Sequence, residues 1–220
     1  MSIVNTRDKT INTKIVYYGP GLGGKTTSLQ YVHSVLDPDM KVKMVSLKTD
    51  EERTLFFDFL PISLGELDGY EVRIQGFTVP GQVKYNLTRK YVLMGADAVV
   101  FVADSAPDRL EDNVRSFGNL LENMRDNGLD PEHVPIVLQY NKRDLPDALP
   151  VEELDATLNA EGRPAFATDA IQGDHVFDAF IEAAARMLDA TAHRYGLDRE
   201  GTDVASATRA LLQSLAQPAG

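Results

Sequence analysis

The sequence predicts a single doubly wound α/β domain: a mainly parallel sheet of six or seven strands, one antiparallel edge strand, and helices on both faces. Three observations carry that expectation. Strand-like and helix-like stretches alternate along the chain, which implies crossover units joining parallel strands. Two runs, 98–103 (AVVFVA) and 135–140 (PIVLQY), are apolar almost throughout, as strands covered on both faces are. Between two further strand-like runs stands Asp68-Gly69, a hairpin turn that supplies the antiparallel strand.

Each element follows in order. Residues 14–19 (KIVYYG) are β-rich and end in glycine, and 26–36 continue with helical character. Residues 56–60 and 70–79 are the strands around the hairpin turn. A short helix over 85–94 leads into the strand at 98–103. Residues 110–127 carry Val114, Phe117, Leu120, Leu121 and Met124 at helical spacing. The strand at 135–140 precedes a short helix at 151–160 and a short strand at 165–167. Residues 176–195 form a long helix with the stripe Phe177, Phe180, Ile181, Ala184 and Leu188. On this reading 1–195 are the domain. Residues 196–220 are a linker (GLDREGT, 196–202) and a terminal helix at 204–215, expected to dock on the domain or to stay disordered.

Composition narrows the function classes. The chain has 220 residues, 43% of them hydrophobic, and a formal net charge of -11. An acidic surface of this kind argues against nucleic acid as a partner, because phosphate-backbone binding is driven by basic residues. It would need a local device to hold an anion. No apolar run reaches the roughly 18 residues of a membrane span. The absence of cysteine removes disulfides, thiol chemistry and prenylation. A cytoplasmic protein with no stable membrane anchor is the expectation.

The local device is Gly19-Pro20-Gly21-Leu22-Gly23-Gly24-Lys25-Thr26, which fits G-x-x-x-x-G-K-[ST] in full, after a strand and before a helix. Phosphate oxygens need several converging backbone N–H groups, and only a loop poor in side chains lets them approach. Gly19, Gly21, Leu22, Gly23 and Gly24 supply that backbone, and the following helix adds its positive end. Lys25 would reach the outer phosphates. The Thr26 hydroxyl would ligate Mg²⁺, and Thr27 lies close to the α-phosphate.

Such a loop does not choose a base. Asn141-Lys142-Arg143-Asp144, directly after a buried strand, does. Asp144 can accept from guanine N1–H and N2–H₂, whereas adenine presents an acceptor at N1 and would leave the carboxylate unpaired. Asn141 can serve the N7 side, and the Lys142 stem can cover the ring. GTP or GDP with Mg²⁺ is therefore the expected ligand set.

These motifs sit inside longer matching segments: KIVYYGPGLGGKTT (14–27), RTLFFDFLP (53–61), TVPGQ (78–82) and QYNKRDLP (139–146). Through them the chain resembles the bacterial MglA family of Ras-like small GTPases, which act in gliding motility and cell polarity. The resemblance covers about residues 1–195. It implies a P-loop GTPase switch that hydrolyses GTP slowly alone. It also implies stimulation by a dimeric roadblock-type GTPase-activating protein (MglB-like), polarity or motility effectors, and recruitment to a cell pole. Thr54 resembles the threonine that senses Mg²⁺ and the γ-phosphate. Arg53 resembles an arginine finger supplied in cis. Gln82, after Gly81, resembles the glutamine that orients the attacking water. Taken alone, the charged run 48–53 reads as a solvated loop.

The chain also departs from the general Ras-like pattern. Thr78 stands where such proteins carry a carboxylate that holds a Mg²⁺-bound water, a change that MglA-like proteins share. Asp58 is a candidate substitute. The base-contacting S-A-K loop is represented only by Asp169-Ala170-Ile171, in which Ala170 would offer its N–H to guanine O6. Other readings are a GTP-binding scaffold with negligible hydrolysis, a diverged paralogue acting in another process, and a P-loop ATPase or small-molecule kinase.

Overall fold

The computed structural model describes residues 2–37, 44–47, 57–82, 85–197 and 203–216. Its strands are β1 (Ile3–Asn5), β2 (Thr10–Tyr18), β3 (Val45–Leu47), β4 (Phe57–Leu67), β5 (Tyr70–Thr78), β6 (Ala98–Asp104), β7 (Ile136–Asn141) and β8 (Ala165–Thr168). Its helices are α1 (Lys25–Leu36), α2 (Asn86–Leu93), α3 (Leu110–Asp126), α4 (Val151–Leu158), α5 (Val176–Tyr195) and α6 (Val204–Leu215). A short 3-10 turn, Pro107–Arg109, precedes α3.

One sheet runs β3-β4-β5-β2-β6-β7-β8, with β1 paired to β2. Strands β5, β2, β6, β7 and β8 are mutually parallel, and β4 is antiparallel to both of its neighbours. The expected antiparallel strand is therefore present, but one place in from the edge, because β3 pairs outside it. Asp68 (φ 48°) and Gly69 (φ 82°) both take positive φ, as a two-residue hairpin turn of type I′ requires.

Period-2 alternation sends successive residues of a strand to opposite faces. Ile15 and Tyr17 enter a core with Leu29 and Val32 of α1 and Phe180 and Ala184 of α5. Val16 and Tyr18 enter a second core with Leu93 of α2, Leu120 and Met124 of α3, and Leu154 of α4. Two helical layers on one sheet make the fold doubly wound, and β6 and β7, buried along their whole length, lie between them. Strands β1 and β3 carried no signal in the sequence, being short, and β2 begins four residues before the KIVYYG run because its polar start, TINT, pairs in register with β5.

Helix α3 keeps Phe117, Leu120, Leu121 and Met124 of the expected stripe against the core but adds polar residues to its inward face and turns Val114 out. Its buried residues are Asn113, Ser116, Leu120, Asn123 and Met124, and Val114 is 46% exposed. The inward polar groups bind other parts of the site: Asn113 exchanges two hydrogen bonds with the Asp104 backbone, at 2.9 and 2.8 Å. Helix α6 packs on α5. Val204 and Leu212 join the core beside α5 and β4, and Arg209 donates to Glu182 of α5 at 3.0 Å. The Asp203 carboxylate caps its first turn, accepting from the Ser206 N–H at 2.9 Å. Among the described residues, no helix is long and apolar enough to cross a membrane.

Candidate functional site

The Gly19–Thr26 loop joins β2 to α1 at the carboxyl end of the parallel strands, where open α/β sheets bind ligands. Its carbonyls are held by donors. Lys25 Nζ donates to Gly19 O at 3.2 Å and to Pro20 O at 2.5 Å. Arg89 donates to Gly19 O, Arg109 to Gly21 O at 2.9 Å, and Asn141 Nδ2 to Gly23 O at 2.9 Å. With these carbonyls engaged, and only the Gly23 N–H spent within the loop, on Pro20 O at 3.4 Å, its other N–H groups are left to turn toward an anion. Helix α1 has no side-chain cap and no acidic residue in its first turn. Its first internal bond is Ser28 N–H to Gly24 O at 2.8 Å, so the N–H groups of Lys25, Thr26 and Thr27 have no carbonyl within the helix.

Glycine is required at two close approaches. A Cβ on Gly24 (φ 104°) would lie 2.1 Å from Asn141 Nδ2. One on Gly81 would lie 2.3 Å from Gly21 Cα, so the T-x-x-G segment is packed directly on the phosphate loop. Leu22 takes φ 63° with its side chain 89% exposed, so only its backbone can serve a phosphate.

Lys25 is 6% exposed. Its burial, reinforced by the Arg89 charge and opposed by Asp58, brings its ammonium down to about 7. A buried cation held mainly by carbonyls is poorly compensated, and a phosphate would restore its charge balance.

The Asp58 carboxylate stands where the Thr78 departure left a gap. Thr26 Oγ1 donates to Asp58 Oδ2 at 2.6 Å, and Thr78 Oγ1 donates to the same oxygen at 2.9 Å. The Asp58 N–H in turn donates to Thr78 Oγ1 at 3.0 Å. The register Phe59↔Phe77 sets these two residues side by side on paired strands. The carboxylate that the T-x-x-G segment lacks is thus delivered by β4. The donor set fits Mg²⁺: the Thr26 proton is directed to Asp58, leaving hydroxyl lone pairs for a hard cation that keeps several waters and takes its other oxygens from phosphates. Among the described residues no cluster of three or more His, Cys, Asp or Glu could hold a metal alone.

Gln82 is exposed beside the loop and lines a cavity of about 330 Å³ with Gly21, Leu22, Pro80, Gly81 and Tyr85. Arg53 and Thr54 lie outside the described residues.

On the base side, Asn141 ends β7 and is 2% exposed. Its Oδ1 accepts from Thr168 Oγ1 at 3.2 Å and from Ala170 N–H at 2.9 Å, while Nδ2 holds Gly23 O. One amide thus ties the phosphate loop to both base loops, and its second N–H remains for a ring nitrogen. Ala170 lies where predicted, with its N–H on Asn141 Oδ1, and the next two N–H groups, of Ile171 and Gln172, are taken by Asp169 Oδ1 at 2.8 and 3.1 Å. Lys142 adopts φ 69° and its Nζ donates to Asp104 Oδ2 at 2.6 Å, which fixes the stem. Asp144 is exposed, and its carboxylate has no partner among the described residues.

Sequence reasoning missed three groups here: Asp104, Arg89 and Arg109. Each looks like an ordinary charged residue in the chain. Only Asp104, at the end of an otherwise apolar run, carried a local signal.

A mainly parallel sheet with a phosphate loop after β2 and a base loop after β7 defines a P-loop nucleotide-binding protein of the small-GTPase class. Residues 2–180 match the model of the ADP-ribosylation factor family. The chain is also 50% identical over 188 residues to the mutual gliding-motility protein MglA of Myxococcus xanthus (strain DK1622), covering 86% of this chain and 96% of that protein. It therefore belongs to the ADP-ribosylation factor family of small GTPases and, within it, to the MglA group, whose activity is GTP hydrolysis.

Proposed function

We propose that this chain is a molecular switch that cycles between GTP and GDP with Mg²⁺ and regulates cell polarity or gliding motility. The observation that carries the reading is the buried Asn141 amide, which bonds Gly23 O on one side and Ala170 N–H on the other. It makes the phosphate loop and the base loops one site, so one ligand with phosphates at one end and a base at the other fits them together. In this reading Gly19, Gly21, Leu22, Gly23 and Gly24 give backbone N–H groups to the phosphates, Lys25 and Thr27 contact them, and Thr26 ligates Mg²⁺. Asp58 orients Thr26 and would accept a hydrogen bond from water held by that metal. Asp144 reads the guanine edge, with Asn141 and Lys142 beside it.

Phosphoryl transfer needs positioning and charge stabilisation more than covalent chemistry. Gln82 orients the attacking water at the cavity beside Gly21. Thr54 completes the metal site when the γ-phosphate is present, and Arg53 neutralises charge that develops in the transition state. A motility or polarity role is supported by the identity to a protein named for gliding motility. With it comes the expectation of a dimeric roadblock-type activator and of effectors that read the GTP state.

Single-turnover phosphate release from GTP, with and without such an activator, tests the reading. The expected outcome is slow release alone, faster release with the activator, and a persistent GTP state in Gln82→Leu. Release no faster than from free GTP under either condition would return the chain to a nucleotide-binding scaffold.

A further inference from the structure

Arg89 is the largest fully buried side chain in the described structure, 0% exposed. It projects from α2 into the second core, and its guanidinium lies 4.3 Å from the centre of the Tyr18 ring. Its hydrogen bonds run to neutral acceptors: Asn119 Oδ1 at 2.8 Å, Ser116 Oγ at 2.7 Å and Gly19 O at 3.2 Å. Its Nε has no partner. No carboxylate pairs with it among the described residues. A buried guanidinium ordinarily recruits one, because the cost of removing it from water is several kcal/mol.

The surroundings suggest why this one does not. Gly19 O, the first carbonyl of the phosphate loop, is shared by two buried cations, Lys25 Nζ and Arg89, both at 3.2 Å. Arg89 and the protonated form of Lys25 on one carbonyl, with Asp58 as the facing anion of Lys25, leave a net positive site inside a chain whose formal charge is -11. Such a field is unfavourable until an anion of high charge enters. Lys25 has three donors, two of them on Gly19 O and Pro20 O, and drawing its ammonium toward that anion weakens its hold on Gly19 O, a buried carbonyl that costs free energy if left without a donor. Arg89 is already in place to keep it satisfied.

We infer that Arg89 is a positioning residue of the phosphate site: it holds Gly19 O while Lys25 engages a polyphosphate, supplies a standing positive charge that the polyphosphate neutralises, and so ties α2 to nucleotide occupancy. The inference rests on reading the loop as a polyphosphate cradle. It does not depend on which base is bound. Helix α2 carries Leu87 and Tyr91 outward at 66% and 56% exposure, so a change transmitted through Arg89 reaches an apolar outer face.

Three variants of the full chain test it by equilibrium affinity for GDP and for ADP. Arg89→Gln removes the charge. Arg89→Lys keeps the charge with a different shape. Asn119→Asp leaves Arg89 untouched but gives it the carboxylate partner it lacks. The expectation is a loss of about tenfold or more in Arg89→Gln, the scale of a lost charge-assisted hydrogen bond, with Arg89→Lys close to the parent. Asn119→Asp should also weaken binding by about tenfold, although a paired guanidinium is the more favourable buried arrangement. A purely structural Arg89 makes the opposite forecast for Asn119→Asp, which would then bind as the parent does or more tightly. That result overturns the inference even if Arg89→Gln fails to fold, and so does equal weakening of Arg89→Lys and Arg89→Gln. Equal affinity of the parent for GDP and ADP would instead remove the guanine reading, while the variant series still judges Arg89 on either nucleotide.

Discussion

The Asp58 carboxylate accepts from the hydroxyls of Thr26 and Thr78, and the proposed Mg²⁺ site turns on this pair of bonds. Reading along the chain finds the missing acid at position 78 and offers Asp58 as a candidate replacement, but does not place it. The substitute sits on the neighbouring strand and meets Thr26 only through β-sheet register, which residue order does not reveal. Groups that orient metal ligands typically contribute ten- to a hundredfold in metal affinity. Asp58→Ala should therefore raise the Mg²⁺ concentration at half-maximal GTP hydrolysis by about tenfold or more, on the same grounds. An unchanged Mg²⁺ titration would show that the carboxylate serves Thr78 alone. For Arg53 the expectation is catalytic: Arg53→Ala should slow activator-stimulated hydrolysis by about 10³, as removal of an arginine finger does. A loss under about tenfold would return 48–53 to a solvated charged loop. The Lys25, Thr26 and Asn141 positions were legible because their motifs fix both residue type and spacing. The Ala170 N–H was not, since its partner Asn141 lies on a different loop.

At the scale of elements, the long buried strands and the α5 stripe were legible from apolar patterning. Helix α3 was legible in Phe117, Leu120, Leu121 and Met124, which all meet the core, but not in Val114, which is exposed, nor in its inward polar residues. Its Asn113, Ser116 and Asn123 are buried because they bind Asp104, Arg89 and Tyr18, and hydrophobic periodicity is blind to polar groups that are buried and satisfied. Helix α6 is held partly by charge. Glu182 feels burial, which raises its carboxyl, but hydrogen bonds and attraction from Arg186 and Arg209 outweigh it and leave the group below its ordinary 4.5. A lowered folded value means that the stabilisation is present above pH 4.5 and is lost as pH falls through the folded value. Amide hydrogen exchange in α6 should therefore quicken relative to the core of α5 as pH falls below about 4.5, after correction for intrinsic rates. Glu182→Gln should remove that dependence. If the variant keeps it, another group holds the helix.

At the scale of the molecule, the chain is acidic and concentrates its buried cations at one loop. The net charge of -11 disfavours polyanions in general, while Lys25 and Arg89 place positive charge at one shaped site. The doubly wound sheet brings the Gly19–Thr26 loop and the Asn141–Asp144 loop together although they lie far apart in sequence, and Asn141 joins them. That convergence was foreseeable, because ligands bind at the carboxyl ends of parallel strands. The antiparallel β4 was foreseeable too, but not the short β3 beyond it, which has too few residues to show a pattern. The central claim is that this site selects guanine through Asp144. Competition between GTP and ATP for the purified chain, repeated with Asp144→Asn, tests it most directly. The expected outcome is a preference for GTP of about 10⁴, the scale on which a site built for hydrogen bonding rejects an analogue that cannot make the bonds, and its collapse in Asp144→Asn. Equal affinity for the two nucleotides in the parent chain, or a preference that survives Asp144→Asn, would contradict it.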